Sequence, residues 1–326
     1  LKDFASGAMT APRLWRPEDI SDILISRRFA VREWREKLDD AGELVEYERT
    51  RAVDHETESW KNGTVDTEQT TVHETLDTMV YLVEGFLREG LVPLMWKQDI
   101  KAAYRNLPIR KEHLKFAWIA YKWSNAIWVA GHKTLNFGSI ASVMGWNAFA
   151  EGLSWILRKA ARSATARYVD DYFGVSRAGV QWNGSELIAL LAKLVGTPCD
   201  PDKAAPSMTS LALLGAGVMI QATRMQLALR LQPLKAKRYR RVVQRALEDQ
   251  EVSPGNATKL AGKLDFATCV ARHKNRPRVH PAHLHAGTPA SARPFVLGRP
   301  GIAMVGRMAA MLQRSTGVEL QGRPEV

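Results

Sequence analysis

The sequence predicts an α+β protein built on a strand, helix, strand, strand, helix, strand series, the split βαβ arrangement on an antiparallel sheet. Three observations carry that expectation. Leu94-Met95-Trp96-Lys97-Gln98-Asp99-Ile100 is a short strand-like run, and Ala166-Arg167-Tyr168-Val169 and Tyr172-Phe173-Gly174-Val175 are strand-like runs rich in β-branched and aromatic residues. The last two flank Asp170-Asp171, which places two adjacent carboxylates in a tight turn. Helical periodicity fills the intervals between these runs.

The elements follow in chain order. The first fifty residues are charged and suggest only a helix near 28–38. Over 71–90, Leu76, Met79, Val80, Val83, Phe86 and Leu87 recur at helical spacing and Gly90 is a stop, giving a helix expected beneath the sheet. Residues 116–121 and 126–130, divided by Ser124-Asn125, read as a β-hairpin leading to Phe137-Gly138. Its Trp118, Tyr121 and Trp128 are packing residues more readily than base-stacking ones. A long helix over 139–162 buries Val143, Trp146, Leu153, Ile156 and Leu157. Another over 185–195 is capped by Ser185 and ended by Gly196, and 213–220 returns as the last strand.

Beyond Pro233 the pattern becomes helical and basic. Lys235, Lys237, Arg238, Arg240, Arg241 and Arg245 cover one helix, while Leu234, Val242, Val243, Ala246 and Leu247 supply its apolar stripe. The next helix opens at Ser253-Pro254, a cap followed by a first-turn proline, and runs through Leu260, Leu264 and Phe266. After His273 the chain is rich in Pro, Gly and Ala, and loose structure is expected there.

Chemistry concentrates at the acids. Side-by-side carboxylates repel unless a cation neutralises them, and oxygen-only ligands select a hard ion such as Mg²⁺ or Mn²⁺. A solvated turn is the plainer reading of Asp170-Asp171 taken alone. Asp99 changes the balance: if its strand pairs with the hairpin, three carboxylates face one spot and can hold two ions about 3.5–4 Å apart, the arrangement of in-line phosphoryl displacement.

These residues resemble reverse transcriptases. Asp99-Ile100-Lys101-Ala102-Ala103-Tyr104 is similar to the family's first catalytic motif, and Tyr168-Val169-Asp170-Asp171 matches its YxDD box. Between them, Leu135-Asn136-Phe137-Gly138 resembles the template-grip and nucleotide-pocket motif, with Asn136 where Pro is common. Asp202-Lys203 and Leu213-Leu214-Gly215 resemble the Lys-bearing loop and the primer-grip strand, and Arg51-Ala52-Val53-Asp54 with Asn62 resembles the fingers segment. The match runs from about Arg51 to Phe266 in the family's order; the phrase around Phe137 and the run Leu260-Ala261-Gly262-Lys263-Leu264-Asp265-Phe266 look nearest to DIRS-like or Ty3-like retroelements.

The resemblance implies a right-hand polymerase, with an N-terminal extension and fingers over 1–93, a palm over 94–228 carrying an inserted fingers hairpin at about 115–135, a helical thumb over 229–275, and a connection-like or loose tail over 276–326. It implies an RNA-directed DNA polymerase that uses an RNA or DNA template with a primer, dNTPs and two Mg²⁺ or Mn²⁺ ions. Asp99, Asp170 and the Ile100 carbonyl would bind the metals with Asp171 in support. Arg51 and Lys101 would meet the triphosphate, and Lys203 the leaving pyrophosphate. Phe137 and Gly138 would line the nucleotide pocket, and the Tyr104 ring would exclude a ribose 2′-hydroxyl. On the thumb, Lys235, Lys237, Arg238, Arg241 and Arg245 would track nucleic acid. RNase H, recombinase or integrase domains would be encoded outside this segment. The rival expectation is a domesticated or decayed module that binds RNA without polymerising.

Composition agrees with a polyanion partner. The formal charge is +12, and the 18 Lys and Arg against 6 Asp and Glu from Arg230 onward account for all of it. Solubility alone rarely requires such segregation. Length suits one polymerase unit or two compact domains, and a start at Leu1 suggests a segment of a longer protein. Two cysteines, Cys199 and Cys269, and the lack of a long apolar stretch point to a soluble intracellular protein without a membrane partner. Cys269, His273, His280, His283 and His285 raise a zinc reading, but their spacing matches no compact module.

Overall fold

The computed structural model describes residues 2–19, 23–39, 44–66, 71–249, 251–252, 254–271 and 295–296. They divide into two compact units, Leu1–Glu36 with Glu46–Met79 and Trp96–Ser207, and Lys37–Val45 with Val80–Met95 and Met208–Val326.

In chain order the strands of two sheets, which fall mainly in the first unit, are β1 (Arg13–Leu14), β2 (Ile25–Leu38), β3 (Leu44–Asp54), β4 (Pro93–Ile100), β5 (Trp118–Trp123), β6 (Ala126–Gly131), β7 (Ala164–Tyr168), β8 (Asp171–Arg177) and β9 (Cys199–Met208). One sheet has the order β7-β8-β4-β9, and the other the order β1-β6-β5-β2-β3. The split series is thus present, with two corrections. Its fourth strand is β9, not 213–220. The segment expected as a helix at 28–38 is strand β2, whose Ile25 to Arg27 pair in parallel with Trp118 to Ala120 of β5; its Ile25, Phe29 and Val31 favour extended backbone, and cross-strand pairing outweighs the helix propensity of its charged residues.

The helix Ile140–Lys159 buries Ser142, Trp146, Ala150, Leu153, Ser154 and Leu157 on one face. The 3.6-residue period explains that face, while Ile156, expected inside, lies one position off it and is exposed. The helix Gly184–Leu194 is capped by Asn183, not Ser185: Asn183 accepts from the Glu186 N–H and Glu186 accepts from the Asn183 N–H. Ser185 is buried instead and donates to Gln98 Oε1 at 3.2 Å.

Trp96, Ile100, Trp146, Leu153, Leu157, Tyr172 and Ile188 form the core between this sheet and its two helices. Each fully buried side chain of this size stabilises by about 1.5–3 kcal/mol. Trp96 lies against two glycines. A Cβ on Gly174 would fall 2.7 Å from Trp96 Cζ2, and one on Gly184 would overlap the same indole.

The second unit contains the meander β10 (Ser210–Leu213), β11 (Ala216–Gln221) and β12 (Gln226–Leu231), in that spatial order. It is followed by the helix Pro233–Asp249, the short β13 (Glu251–Val252), the helix Pro254–Ala271 and β14 (Phe295–Val296), which pairs with β13. The first helix buries Ala236, Tyr239, Val243 and Ala246. Ser253 and the four histidines of the zinc reading lie outside the described residues. Among the described residues no helix is long and apolar enough to cross a membrane.

Candidate active site

Strand pairing delivers the acids. Tyr168 of β7 faces Asp171 of β8, so Val169-Asp170 is a two-residue turn. Val169 sits at φ 56°, a costly conformation for a β-branched residue. Its carbonyl is held by two donors, Trp146 Nε1 and Arg167 NH1, each at 2.9 Å. The Ile100 N–H donates to the Asp170 carbonyl at 3.0 Å, which sets the end of β4, and with it Asp99, beside the hairpin tip.

The three carboxylates share one electrostatic field. Burial, then the charge of Asp99, raises the Asp170 carboxyl against the pull of its own N–H and of Lys203. Asp171 is pushed up to about 6 by burial, by Asp170 and Asp99, and by a hydrogen bond with Asp99. The rise is the response expected of a carboxylate crowded by like charges out of water. Lys203 Nζ donates to Asp99 Oδ2 at 2.8 Å and lies 3.8 Å from Asp200 Oδ2. Among the described residues no three His, Cys, Asp or Glu side chains converge as a ready-made metal cage.

Beside the acids lies an aromatic pair. Tyr104, in a short 3₁₀ turn after β4, meets Phe137 edge to face at 4.9 Å between ring centres, while Phe137 is 60% exposed. Burial, then Asp170, raises the Tyr104 hydroxyl. Gly138 adopts φ 103°, and a Cβ there would stand 2.7 Å from the Asp54 carbonyl, so both its backbone and its surroundings require glycine. Asn62 donates to the Gly138 carbonyl and accepts from the Ile140 N–H, both at 2.9 Å, capping the long helix from outside it. Asn136 donates to the buried Glu56 at 2.9 Å. Glu56 lies 3.7 Å from Lys61 Nζ, and that ammonium donates to the Trp118 carbonyl. A proline at 136 could not make the bond to Glu56.

Other sequence-selected residues are placed differently. Arg51 is exposed on β3 with its guanidinium 3.6 Å from Glu33. The Lys101 N–H donates to the Pro198 carbonyl at 2.8 Å while its side chain is exposed. In the second unit Lys235 folds inward, its ammonium 4.3 Å from the Phe266 ring and over Gly215, and burial lowers its pKa. Lys237 and Arg238 are half-buried; Arg241 and Arg245 are exposed, with Arg245 3.5 Å from Asp249.

Sequence reasoning missed a buried polar group beside the pocket. Asp54 receives both Arg28 Nε and NH2, at 2.6 and 2.9 Å, and His132 Nε2 at 3.0 Å. Burial alone would raise the Asp54 carboxyl, but hydrogen bonds from His132 and Arg28 hold it far below the usual range. Burial, the largest influence on His132, lowers that imidazole. These residues are separated by tens of positions, so no local pattern joins them.

No protein-family model matches the chain, and no curated protein matches it. Among the solved structures similar to this chain are two foamy viral enzymes. The foamy viral protease-reverse transcriptase dRH in complex with ds DNA shares 15% identity at a TM-score of 0.58, over 96% of this chain and 46% of that one. The foamy viral protease-reverse transcriptase in complex with RNA/DNA hybrid shares 14% identity at a TM-score of 0.52, over 82% of this chain and 32% of that one. The chain thus spans less than half the length of either. At these identities the likeness carries the fold alone, and that fold is reverse-transcriptase-like.

Proposed function

We propose that the chain performs template-directed DNA synthesis, the reverse-transcriptase reaction, adding dNTPs to a primer 3′-hydroxyl. The observation that carries the reading is Asp99 set beside the Asp170-Asp171 tip, next to the Tyr104 and Phe137 wall, on a reverse-transcriptase-like fold. In this reading residues 1–93 supply the N-terminal extension and fingers, 94–228 the palm and 229–275 the thumb, in an element of DIRS-like or Ty3-like kind. The RNA or DNA template and the primer are its partners.

The donor set fits a hard cation. It is oxygen-only, and two of its carboxyls are raised by burial and by the charge of the neighbouring acids. Asp99, Asp170, Asp171 and the Ile100 carbonyl would hold two Mg²⁺ or Mn²⁺ ions, which when bound activate the 3′-hydroxyl and offset charge on the phosphates. The remaining roles belong to side chains. Tyr104 closes the space a 2′-hydroxyl would need, and Gly138 lets the backbone approach the nucleotide. Lys203 is within reach of the acids to steady the leaving pyrophosphate. Arg51 and Lys101 would engage the triphosphate only on leaving Glu33 and solvent respectively.

Primer extension on poly(rA)·oligo(dT) with Mg²⁺ or Mn²⁺ tests the reading. Incorporation of dTMP is the expected result. Binding of the duplex without incorporation would favour the RNA-binding module instead.

A further inference from the structure

The buried group beside the pocket closes into a ring. Arg105 NH1 donates to His132 Nδ1 at 2.9 Å, and since a guanidinium only donates, His132 carries its proton on Nε2 and gives it to Asp54. Arg105 NH2 donates to Asp3 Oδ2 at 2.8 Å, and that same oxygen is 3.9 Å from Arg28 NH1. Asp3, Arg105, His132, Asp54 and Arg28 therefore form a circuit of two carboxylates, two guanidiniums and one neutral imidazole. Its charges balance only with Asp3 in place. His132 is fully buried and Asp54 nearly so, so a loss of balance falls on groups that water cannot reach.

Three parts of the pocket hang on this ring. Arg105 follows Tyr104 in the same 3₁₀ turn. Arg105 NH1 also reaches the Leu135 carbonyl at 3.4 Å, at the start of the segment carrying Phe137 and Gly138. The carbonyl of Asp54 is the surface against which Gly138 packs. Asp3 itself comes from the helix Lys2–Ala5, outside every motif of the site, and Ala8 to Thr10 tie that segment to Gly131 and Lys133.

We propose that Asp3 is a positioning residue of the nucleotide pocket, acting through Arg105 on Tyr104 and through Arg28 and Asp54 on Gly138. The inference rests on the polymerase reading for its consequence in catalysis, and on geometry alone for the coupling. Asp3 is partly exposed, so its removal weakens the ring without collapsing it.

The test compares wild type, Asp3→Asn and Asp3→Glu in the full chain. With Asp3→Asn, KM for dNTP rises about five- to tenfold, the effect of removing one charge-assisted bond, while kcat stays within about twofold. Discrimination of dNTP over rNTP falls, template-primer affinity holds, and Asp3→Glu restores much of each. In parallel, 3-fluorotyrosine is incorporated and the Tyr104 ¹⁹F resonance, assigned with Tyr104→Phe, is followed without substrate. It moves in Asp3→Asn while that of Tyr81 does not. A lower Tm with unchanged KM, discrimination and Tyr104 resonance would overturn the proposal, leaving Asp3 a stabilising residue only. Should wild type incorporate no nucleotide, the polymerase reading fails, and the ¹⁹F comparison alone decides the coupling.

Discussion

The Trp146 indole N–H donates to the Val169 carbonyl at 2.9 Å, and this bond joins the core of the long helix to the strained tip that presents Asp170 and Asp171. Trp146→Phe removes the donor and part of a fully buried ring. Stability should fall by about 1–3 kcal/mol in urea denaturation. Extension should fall further than stability explains, since Val169 then has less to hold it at positive φ. Unaltered extension by a folded variant would mean that Arg167 holds the turn alone.

Asp170→Asn should abolish extension and leave template-primer binding nearly intact, because it removes an oxygen donor without touching the basic second unit. Removing an essential ligand costs several kcal/mol at the transition state. Residual activity within about tenfold of wild type would sink the assignment.

Asp171 gives a pH signature. Its folded pKa of about 6 exceeds the ordinary 3.8, so the folded state binds the proton more tightly than the unfolded one. Stability from this group is complete below about 3.8 and is lost as pH rises to about 6. Other carboxylates act oppositely, Asp54 among them, so the measurement is a difference. In EDTA, wild type should lose stability relative to Asp171→Asn between pH 4 and 6 and lose no more above pH 7. A constant difference across the range would contradict the shift.

Tyr104→Ala should admit ribonucleotides. The quantity to compare is kcat/KM for dNTP over rNTP in both proteins, expected to fall by an order of magnitude or more. An unchanged ratio would make Tyr104 a packing residue of the Phe137 wall.

Replacing Arg238, Arg241 and Arg245 by Gln should weaken nucleic-acid binding about equally for every sequence and lower its salt slope by roughly one for each phosphate no longer neutralised. Lys235 is left out because its ammonium faces Phe266. Titration against KCl decides, and a wild-type slope would assign these charges to a solvated face.

Much of the candidate site is legible in the sequence because it is local. The hairpin around Asp170, the strand ending at Asp99 and the long helix each declare themselves within a dozen residues, through turn residues and periodicity. Strand β2 is not legible. Its alternating Arg and Glu residues read equally well as a solvated helix, and only pairing with β5 decides. Asn183 and Ser185 are both good caps by residue type, and what separates them is the partner Glu186, three residues from Asn183 but one from Ser185. Lys235 shows the limit of counting charges: a cation four carbons long can turn inward onto an aromatic ring. The Asp3 to Arg28 circuit joins five residues from distant parts of the chain, and periodicity holds no information about it.

Trp96 fixes a clearance. The indole lies against Gly174 of strand β8 and against Gly184 of the helix Gly184–Leu194, and neither flank has room for a methyl group, Gly174 being closed a second time by the Ala164 carbonyl. A smaller residue at 96 would leave a void that an enlarged residue at 184 could fill, whereas with the tryptophan present the same enlargement would collide with the indole. Positions 96 and 184 form one unit of substitution, so a homologue lacking the tryptophan should be free to differ at 184 while keeping glycine at 174, where the Ala164 carbonyl still bars a side chain.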